Sequence, residues 1–440
     1  MNLASNTAAT VMDTIPTSTT NESRDPPNGE TMRALAWFGK HDVRIIDAAK
    51  PQVTEPTDVV VAVTGSTVCG SDLHLYNGEI LQLQKGDILG HEFCGVVESV
   101  GSSVSKWKVG DRVVASFQIA CGQCEYCKKG LSSMCDTTNS SPVMNTMYGH
   151  RFAGLFGYSH FAGGFAGGQA EYVRVPWAET NLLKIPDEVP DERALYLSDI
   201  VCTSYHACKE ANIQEGDVVG LWGLGPIGLL CAQWCKLMGA KRIIGIDNVT
   251  DRLDFAQKKY GVEPLNFAEK DTSKGIQEMV PGGLDKAIDC AAFRYAKGMI
   301  HKVERALALE TDTSETVNEM ITLVKKFGTC VLIADYAGLT NHFNIGALME
   351  KGVRLIGGGQ APVQMYWEEL MDKWIKTDKF KVEDIVTHRF GLEDVPGIYD
   401  VFDKKEEGIM KCFVETKHSK APTAGTPRLS HIKEGKVVSA

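Results

Sequence analysis

The sequence offers no stretch that reads as a membrane-spanning helix. Its one membrane-like run, Val218 to Cys235, has glycines and Pro226 at its centre, which suit a strand, a turn and a helix instead. Basic residues are not in excess either: 46 Lys and Arg against 56 Asp and Glu leave a net charge of −10. Such a chain is repelled by phosphate backbones and anionic bilayers, so neither nucleic acid nor membrane is expected as a partner. Residues 1–32 lack the apolar core of a secretory leader and the basic face of a mitochondrial one. Rich in Ser, Thr and Asn, they read as a disordered tail, and the Pro- and Gly-punctuated residues 417–440 read as a second. Cysteine is plentiful, but thirteen is an odd number and four are crowded between Cys121 and Cys135. That argues against a disulfide framework and for metal binding in a reducing compartment, the cytoplasm.

With 440 residues, 43% of them hydrophobic and 23% charged, the chain is globular and long enough for two domains. From Met32 to about Pro186 it shows short β-branched runs cut by Gly, Pro and Asp, such as Asp58 to Val63, Phe93 to Val100 and Glu171 to Val175. These predict a β-rich domain. Within it, Cys121, Cys124, Cys127 and Cys135 are spaced C-x2-C-x2-C-x7-C. Four thiolates this close can close a tetrahedron around Zn2+ and leave no position for substrate, which marks a structural zinc.

Two further segments each turn at a glycine: Val68-Cys69-Gly70-Ser71-Asp72 and Gly90-His91-Glu92. Cys69 and His91 supply a thiol and an imidazole, with acidic Asp72 and Glu92 beside them. A catalytic zinc keeps three protein ligands and one open position. Taken alone, the pair is equally a buried Cys and a core His. Between Asn139 and Gly168 lies a long Gly-rich stretch with Tyr148, Phe152, Phe156, Tyr158, Phe161 and Phe165. It reads as the wall of a pocket, while each ring singly is as well explained by local packing.

Beyond Leu195 the pattern changes. Strands at 218–222, 242–247 and 286–290 alternate with helices at 226–238 and 250–260, the order of a doubly wound α/β domain with a parallel sheet. The first strand leads into Gly223-Leu-Gly225-Pro226-Ile227-Gly228 and then a helix. Nineteen residues after Gly228, Asp247 ends the next strand. The glycines allow a tight turn and a close approach to a pyrophosphate at the helix N-terminus. The acid accepts bonds from an adenosine ribose and repels a 2′-phosphate, so NAD is expected over NADP. Arg294 to Glu310 reads as an inserted helix. Asp312, with Glu315, is expected to cap a helix whose apolar face runs Val317, Met320, Ile321, Val324, Phe327.

From about Arg33 to Thr416 these features resemble the zinc-dependent medium-chain alcohol dehydrogenases, most of all the glutathione-independent formaldehyde dehydrogenases. The resemblance implies a GroES-like catalytic domain (33–200 and 361–416) and a Rossmann NAD-binding domain (201–360). It implies a catalytic zinc on Cys69 and His91, with Glu92 behind it and the third ligand at Asp199 in Leu197-Ser-Asp-Ile-Val-Cys. Cys202 is the alternative, since thiolate also suits zinc. Asp72 orients the imidazole, while Ser71 and His74 match a proton relay, although a surface His needs no function. Thr203 matches a nicotinamide-side contact and Arg252 a residue near the ribose. Lys411 lies near a pyrophosphate-binding position and could equally be an exposed strand-end lysine. The implied enzyme holds two zinc ions per chain, transfers a hydride between NAD and a small alcohol or aldehyde in a cleft between its domains, and forms a homodimer or homotetramer. Aldehyde dismutation with tightly held NAD is the alternative reaction, and a non-catalytic zinc- and NAD-binding protein the alternative class.

Overall fold

A computed structural model describes residues 29–291, 311–336 and 338–439. By compactness the chain divides in two. One unit contains the residues up to Cys202 and those from Pro362 onward, and the other is Thr203–Ala361.

The first unit is built on a mixed sheet. The order of its main path is Leu182–Lys184, Arg112–Ala115, Phe93–Val100, Val59–Ser66, Lys411–Glu415, Val386–Gly391, Leu429–Lys433 and Lys436–Ser439, with Tyr172–Val175 also paired to Val59–Ser66. Val59–Ser66 is buried along its whole length. A strand covered on both faces reads as a continuous apolar run, and this one begins Val-Val-Val-Ala-Val. A smaller sheet pairs Thr31–Gly39 with Asp42–Ala49 and Asp87–Ile88. Three segments distant in sequence thus reach one neighbourhood: the end of Val59–Ser66, the start of Phe93–Val100, and the 3-10 turn Leu195–Ser198.

The second unit is a six-stranded, all-parallel sheet in the order Glu263–Asn266, Arg242–Asp247, Val218–Trp222, Leu284–Asp289, Val324–Leu332, Arg354–Gly357. The order reverses direction between Val218–Trp222 and Leu284–Asp289, which is the switch point where open α/β sheets bind ligands. The helices Pro226–Leu237 and Thr250–Tyr260 follow the first two strands. Among the described residues no helix is long and apolar enough to cross a membrane.

Several expectations need correction. Residues 429–439 are not a disordered tail. Leu429–Lys433 pairs in parallel with Val386–Gly391 and folds back antiparallel on Lys436–Ser439. At the other end a strand already begins at Thr31, inside the stretch read as tail, and the residues before 29 lie outside the described ones. The predicted insertion 294–310 likewise lies outside the described residues. Asp312 does not cap the next helix. The cap of Glu315–Leu323 is Ser314, and Asp312 Oδ2 instead accepts from the Gly338 amide at 2.6 Å. Val317, Met320 and Ile321 are buried as the spacing requires, but Val324 opens a strand and Phe327 is 82% exposed. The helix Val363–Leu370 continues as a wider turn, Met371–Ile375.

The C-terminal segment is held by buried charge. Glu192 is buried, accepts from Arg389 Nη1 at 2.8 Å, and also accepts from the Thr423 amide and hydroxyl, each at 3.1 Å. Deleting residues 421–440 would uncover this pair and the strand Val386–Gly391. We expect the thermal midpoint to fall by roughly 5 °C, read by calorimetry; an unchanged midpoint would show the segment to be an ornament.

Candidate active site and metal centres

Cys69 stands at the N-cap of the short helix Gly70–Tyr76. One carboxylate fixes its surroundings. Asp72 Oδ2 accepts the Cys69 amide at 2.9 Å and Gln169 Nε2 at 3.2 Å, while Oδ1 meets His91 Nδ1 at 3.0 Å. Gln169 is itself held by Tyr399, whose hydroxyl donates to Oε1 at 2.9 Å. A carboxylate only accepts, so Nδ1 carries the proton and Nε2 presents its lone pair.

What Nε2 faces decides the chemistry. Asp199 Oδ2 is 3.5 Å away and Glu92 Oε1 3.9 Å. One ligand atom each from Cys69, His91, Glu92 and Asp199 all lie within 4.8 Å of one another. An imidazole nitrogen, a sulfur and two carboxylate oxygens grouped this closely form an N, S and O donor set at a spacing that suits zinc, and a cation among them would relieve the repulsion between their lone pairs. The imidazole registers the same field: burial pushes its pKa down, but Asp72, Asp199 and Cys69 hold it well above the ordinary value.

Asp199 follows the 3-10 turn Leu195–Ser198. Cys202 is not in the donor group; it is fully buried, and its thiol lies 3.3 Å from the Leu197 carbonyl. Lys411 is not an exposed strand-end lysine. It is buried, with Nζ 2.5 Å from Glu92 Oε1 and 3.5 Å from the Val68 carbonyl. Burial would lower its pKa, and Cys69, Glu92 and Asp199 outweigh that and raise it. The structure therefore gives it the part of counter-ion to Glu92, not that of a free phosphate ligand. His74 is no surface residue either: it is buried, with Nδ1 2.7 Å from Glu79 Oε2. Ser71 is half-buried, its Oγ 3.9 Å from Cys69 Sγ. The aromatic stretch divides. Phe156 and Phe165 belong to the sheet core and Phe161 packs with Val143 and Met144, whereas the Tyr158 ring stands 6.3 Å from that of His91.

The second donor group is Cys121, Cys124, Cys127 and Cys135. The Cys121–Cys127 and Cys124–Cys135 sulfur separations are both 4.0 Å, close to the edge of a tetrahedron with Zn–S bonds of about 2.3 Å. Amides of Gln123 and Cys124 point at Cys121 Sγ from 3.4 Å, and the Cys121 amide points at Cys135 Sγ from 3.3 Å. Burial opposes ionisation of Cys121, but the Thr137 hydroxyl and these amides bring it down to about 6.

In the parallel sheet, Gly223 has φ +90°, and a Cβ on Gly228 would stand 2.0 Å from the Gly223 carbonyl, so the turn admits no side chain at either. A Cβ on Gly225 would meet only Arg252 Nη1, at 3.8 Å, leaving that side open. Pro226 and Ile227 open the helix. Asp247 Oδ2 accepts the Leu224 amide at 2.7 Å, and Oδ1 accepts Asn248 and Val249 amides at 2.7 and 2.9 Å. The acid is thus tied to the glycine turn itself. Thr203 is half-buried on the helix Ile200–Glu210.

Residues 55–187 match the alcohol dehydrogenase GroES-like domain, and residues 226–376 match the zinc-binding dehydrogenase family. A zinc-type alcohol dehydrogenase-like protein of Schizosaccharomyces pombe is 41% identical over 396 residues, 90% of this chain and 93% of that one. This chain belongs to the zinc-dependent alcohol dehydrogenases. A glutathione-independent formaldehyde dehydrogenase of Pseudomonas aeruginosa is 31% identical, over 88% of this chain and 98% of its own. Formaldehyde dehydrogenases thus stand among the relatives at lower identity than the yeast protein, and all of them support the zinc-dependent alcohol dehydrogenase family. Among solved structures, an alcohol dehydrogenase from Thermus sp. ATN1 superposes with a TM-score of 0.73 at 29% identity, over 88% of this chain and all of that one.

Sequence reasoning missed the Lys411–Glu92 pair, the Gln169–Tyr399 support of Asp72, and Tyr158 as the ring beside His91. Only the last left a signal, the aromatic load of its loop. Two predictions follow from the donor groups. Cys124→Ser should lose one zinc of two by metal analysis, together with much of the thermal stability, because a structural site contributes folding free energy directly. Asp199→Ala should lose the other zinc and turnover, whereas Cys202→Ala should retain both metals and most activity. The reverse pattern would move the third ligand to Cys202.

Proposed function

We propose that this zinc-dependent alcohol dehydrogenase, an oxidoreductase of alcohols and aldehydes, uses NAD as its hydride partner and holds two zinc ions, one at Cys69, His91 and Asp199 and one at the four clustered cysteines. The observation that carries the reading is the convergence on the His91 Nε2 lone pair of a thiol and two carboxylates, with the tautomer fixed by Asp72. Zinc, when bound there, supplies Lewis acidity toward an alcohol or carbonyl oxygen.

The chain's own groups do the rest. Asp72 holds the imidazole ring and the Cys69 backbone in one geometry. Lys411 offsets the charge of Glu92, so that this carboxylate stands behind the ligands without expelling a substrate oxygen. Ser71 takes the alcohol proton in the oxidative direction, and His74, paired with Glu79, passes it outward. NAD, when bound, would supply the acceptor for the hydride of the carbinol carbon, and Thr203 is the residue that would contact its nicotinamide. Gly223, Gly225, Pro226, Ile227 and Gly228 would hold the pyrophosphate of that cofactor, and Asp247 and Arg252 would hold its ribose.

Thirteen cysteines without a disulfide support a reducing, cytoplasmic setting. Leu339, Ile345 and Met349, exposed by 78%, 62% and 77%, support self-association of the nucleotide unit as a dimer or tetramer.

Asp247 tests the cofactor reading. Asp247→Gly removes the ribose acceptor and the repulsion of a 2′-phosphate, and should narrow the NAD preference by about one to two orders of magnitude, at about 1.4 kcal/mol per tenfold. Steady-state kinetics with both nucleotides measures it, and wild-type enzyme that prefers NADP would overturn the reading.

A further inference from the structure

Gln82 lies between the helix that follows Cys69 and the segment that leads to His91. It is 5% exposed, and neither Nε2 nor Oε1 has a hydrogen-bond partner among the described residues. Its φ is +63°, the left-handed region that a residue with a side chain rarely adopts. A buried amide without partners and a left-handed backbone each cost stability, and such costs concentrate where a ligand recovers them.

The surroundings connect Gln82 to the metal site. Three residues earlier, Glu79 holds His74 at 2.7 Å. The Gln82 carbonyl accepts the His160 amide at 3.3 Å, and His160 is anchored by Asp87 at 3.2 Å. Two residues before His160, Tyr158 brings its ring to 6.3 Å from His91. The flanking side chains are apolar: Ile80 and Leu83 pack in the same cluster as Tyr158, and Leu81 packs against Val143, Met144 and Phe161. The amide is therefore a buried polar group among apolar side chains, on the segment that joins those carrying Cys69 and His91, and a few polar groups in apolar surroundings are what give a binding site orientation and specificity.

Resting on the functional reading above, we propose that Gln82 determines specificity by binding a second hydroxyl of the substrate, so that the enzyme acts on alcohols and aldehydes carrying a hydroxyl away from the reacting carbon. The donor and acceptor count selects that group. A hydroxyl both donates and accepts and so satisfies Oε1 and Nε2 together. A carboxylate answers only Nε2 and faces Oε1 with like charge, and an alkyl chain answers neither.

The test uses the full-length, zinc-loaded enzyme with NAD and compares linear diols with primary alkanols of the same chain length. Wild-type kcat/KM should favour a diol over its alkanol by about tenfold or more, and Gln82→Met should lower the diol value on the order of 10²-fold while the alkanol stays within about threefold. Equal loss on both substrates would assign Gln82 to packing or to an internal water and overturn the proposal, as would a wild-type enzyme indifferent to the second hydroxyl. Should Gln82→Met not fold, Gln82→Glu keeps the length and removes the amide donor, and an undiminished diol preference in that variant also overturns it. An enzyme inactive on every alcohol and aldehyde would refute the functional reading itself, whereas activity on alkanols without diol preference refutes only this inference.

Discussion

The Asp72 carboxylate is the constraint on which the reactive centre depends. Its two oxygens are divided between the Cys69 amide with Gln169 on one side and His91 Nδ1 on the other. The division does three things at once. It starts the helix that presents Cys69, it fixes the proton of His91 on the nitrogen away from the site, and it leaves Nε2 facing acceptors. An Asn there could still accept from the imidazole or the amide, but its own donor would oppose one of them. Behind Asp72, Gln169 and Tyr399 extend the support to a residue far along the chain, so the ligand geometry is set by a buried network and not by exposed loops.

How much of this could be read beforehand follows sequence distance. The four cysteines and the glycine turn lie within one segment each, and their chemistry is legible from spacing because one short excursion or one strand, turn and helix builds the whole feature. Strands Val218–Trp222 and Arg242–Asp247 and helix Thr250–Tyr260 fall at the expected positions for the same reason. The donor group around His91 is different. Cys69, His91 and Asp199 come from three separate elements, and periodicity alone left Cys69 and His91 as a half-site. Asp199 over Cys202 was a matter of resemblance, because both residues suit zinc. Lys411 and Glu92 are more than three hundred residues apart, and nothing local to either reveals the pair.

The C-terminal residues show how composition can mislead. Polar, Gly- and Pro-containing segments lack the apolar content to fold alone, and residues 417–440 fit that description. They order here because an edge already exists. Val386–Gly391 offers an unpaired backbone side, Leu429–Lys433 completes it, and Glu192 supplies a buried acceptor for Thr423. The Asp312 expectation failed on a similar point. A capping signature states only that a carboxylate could reach the helix amides, and the Gly338 amide competes for the same oxygen from a neighbouring loop.

Charge balance around His91 bears on what the site accepts. The thiolate of Cys69 and the carboxylate of Asp199 match the charge of a divalent ion, Glu92 is matched by Lys411, and Asp72 is engaged with the His91 N–H. Neither buried carboxylate behind the ligands is left to draw in a cation, and the Lys411 ammonium is already occupied by Glu92, so it is not offered to a substrate carboxylate or phosphate. The neighbouring segments add the neutral Ser71 hydroxyl, Tyr158 ring and Gln82 amide, and two carboxylates that are each paired, Glu79 with His74 and Asp87 with His160. None of these described groups offers an anionic substrate an unpaired positive charge, and its desolvation would oppose binding. Neutral alcohols and aldehydes carry no such penalty, and among them the polar contact at Gln82 can discriminate without altering the charge on which the metal ligands depend.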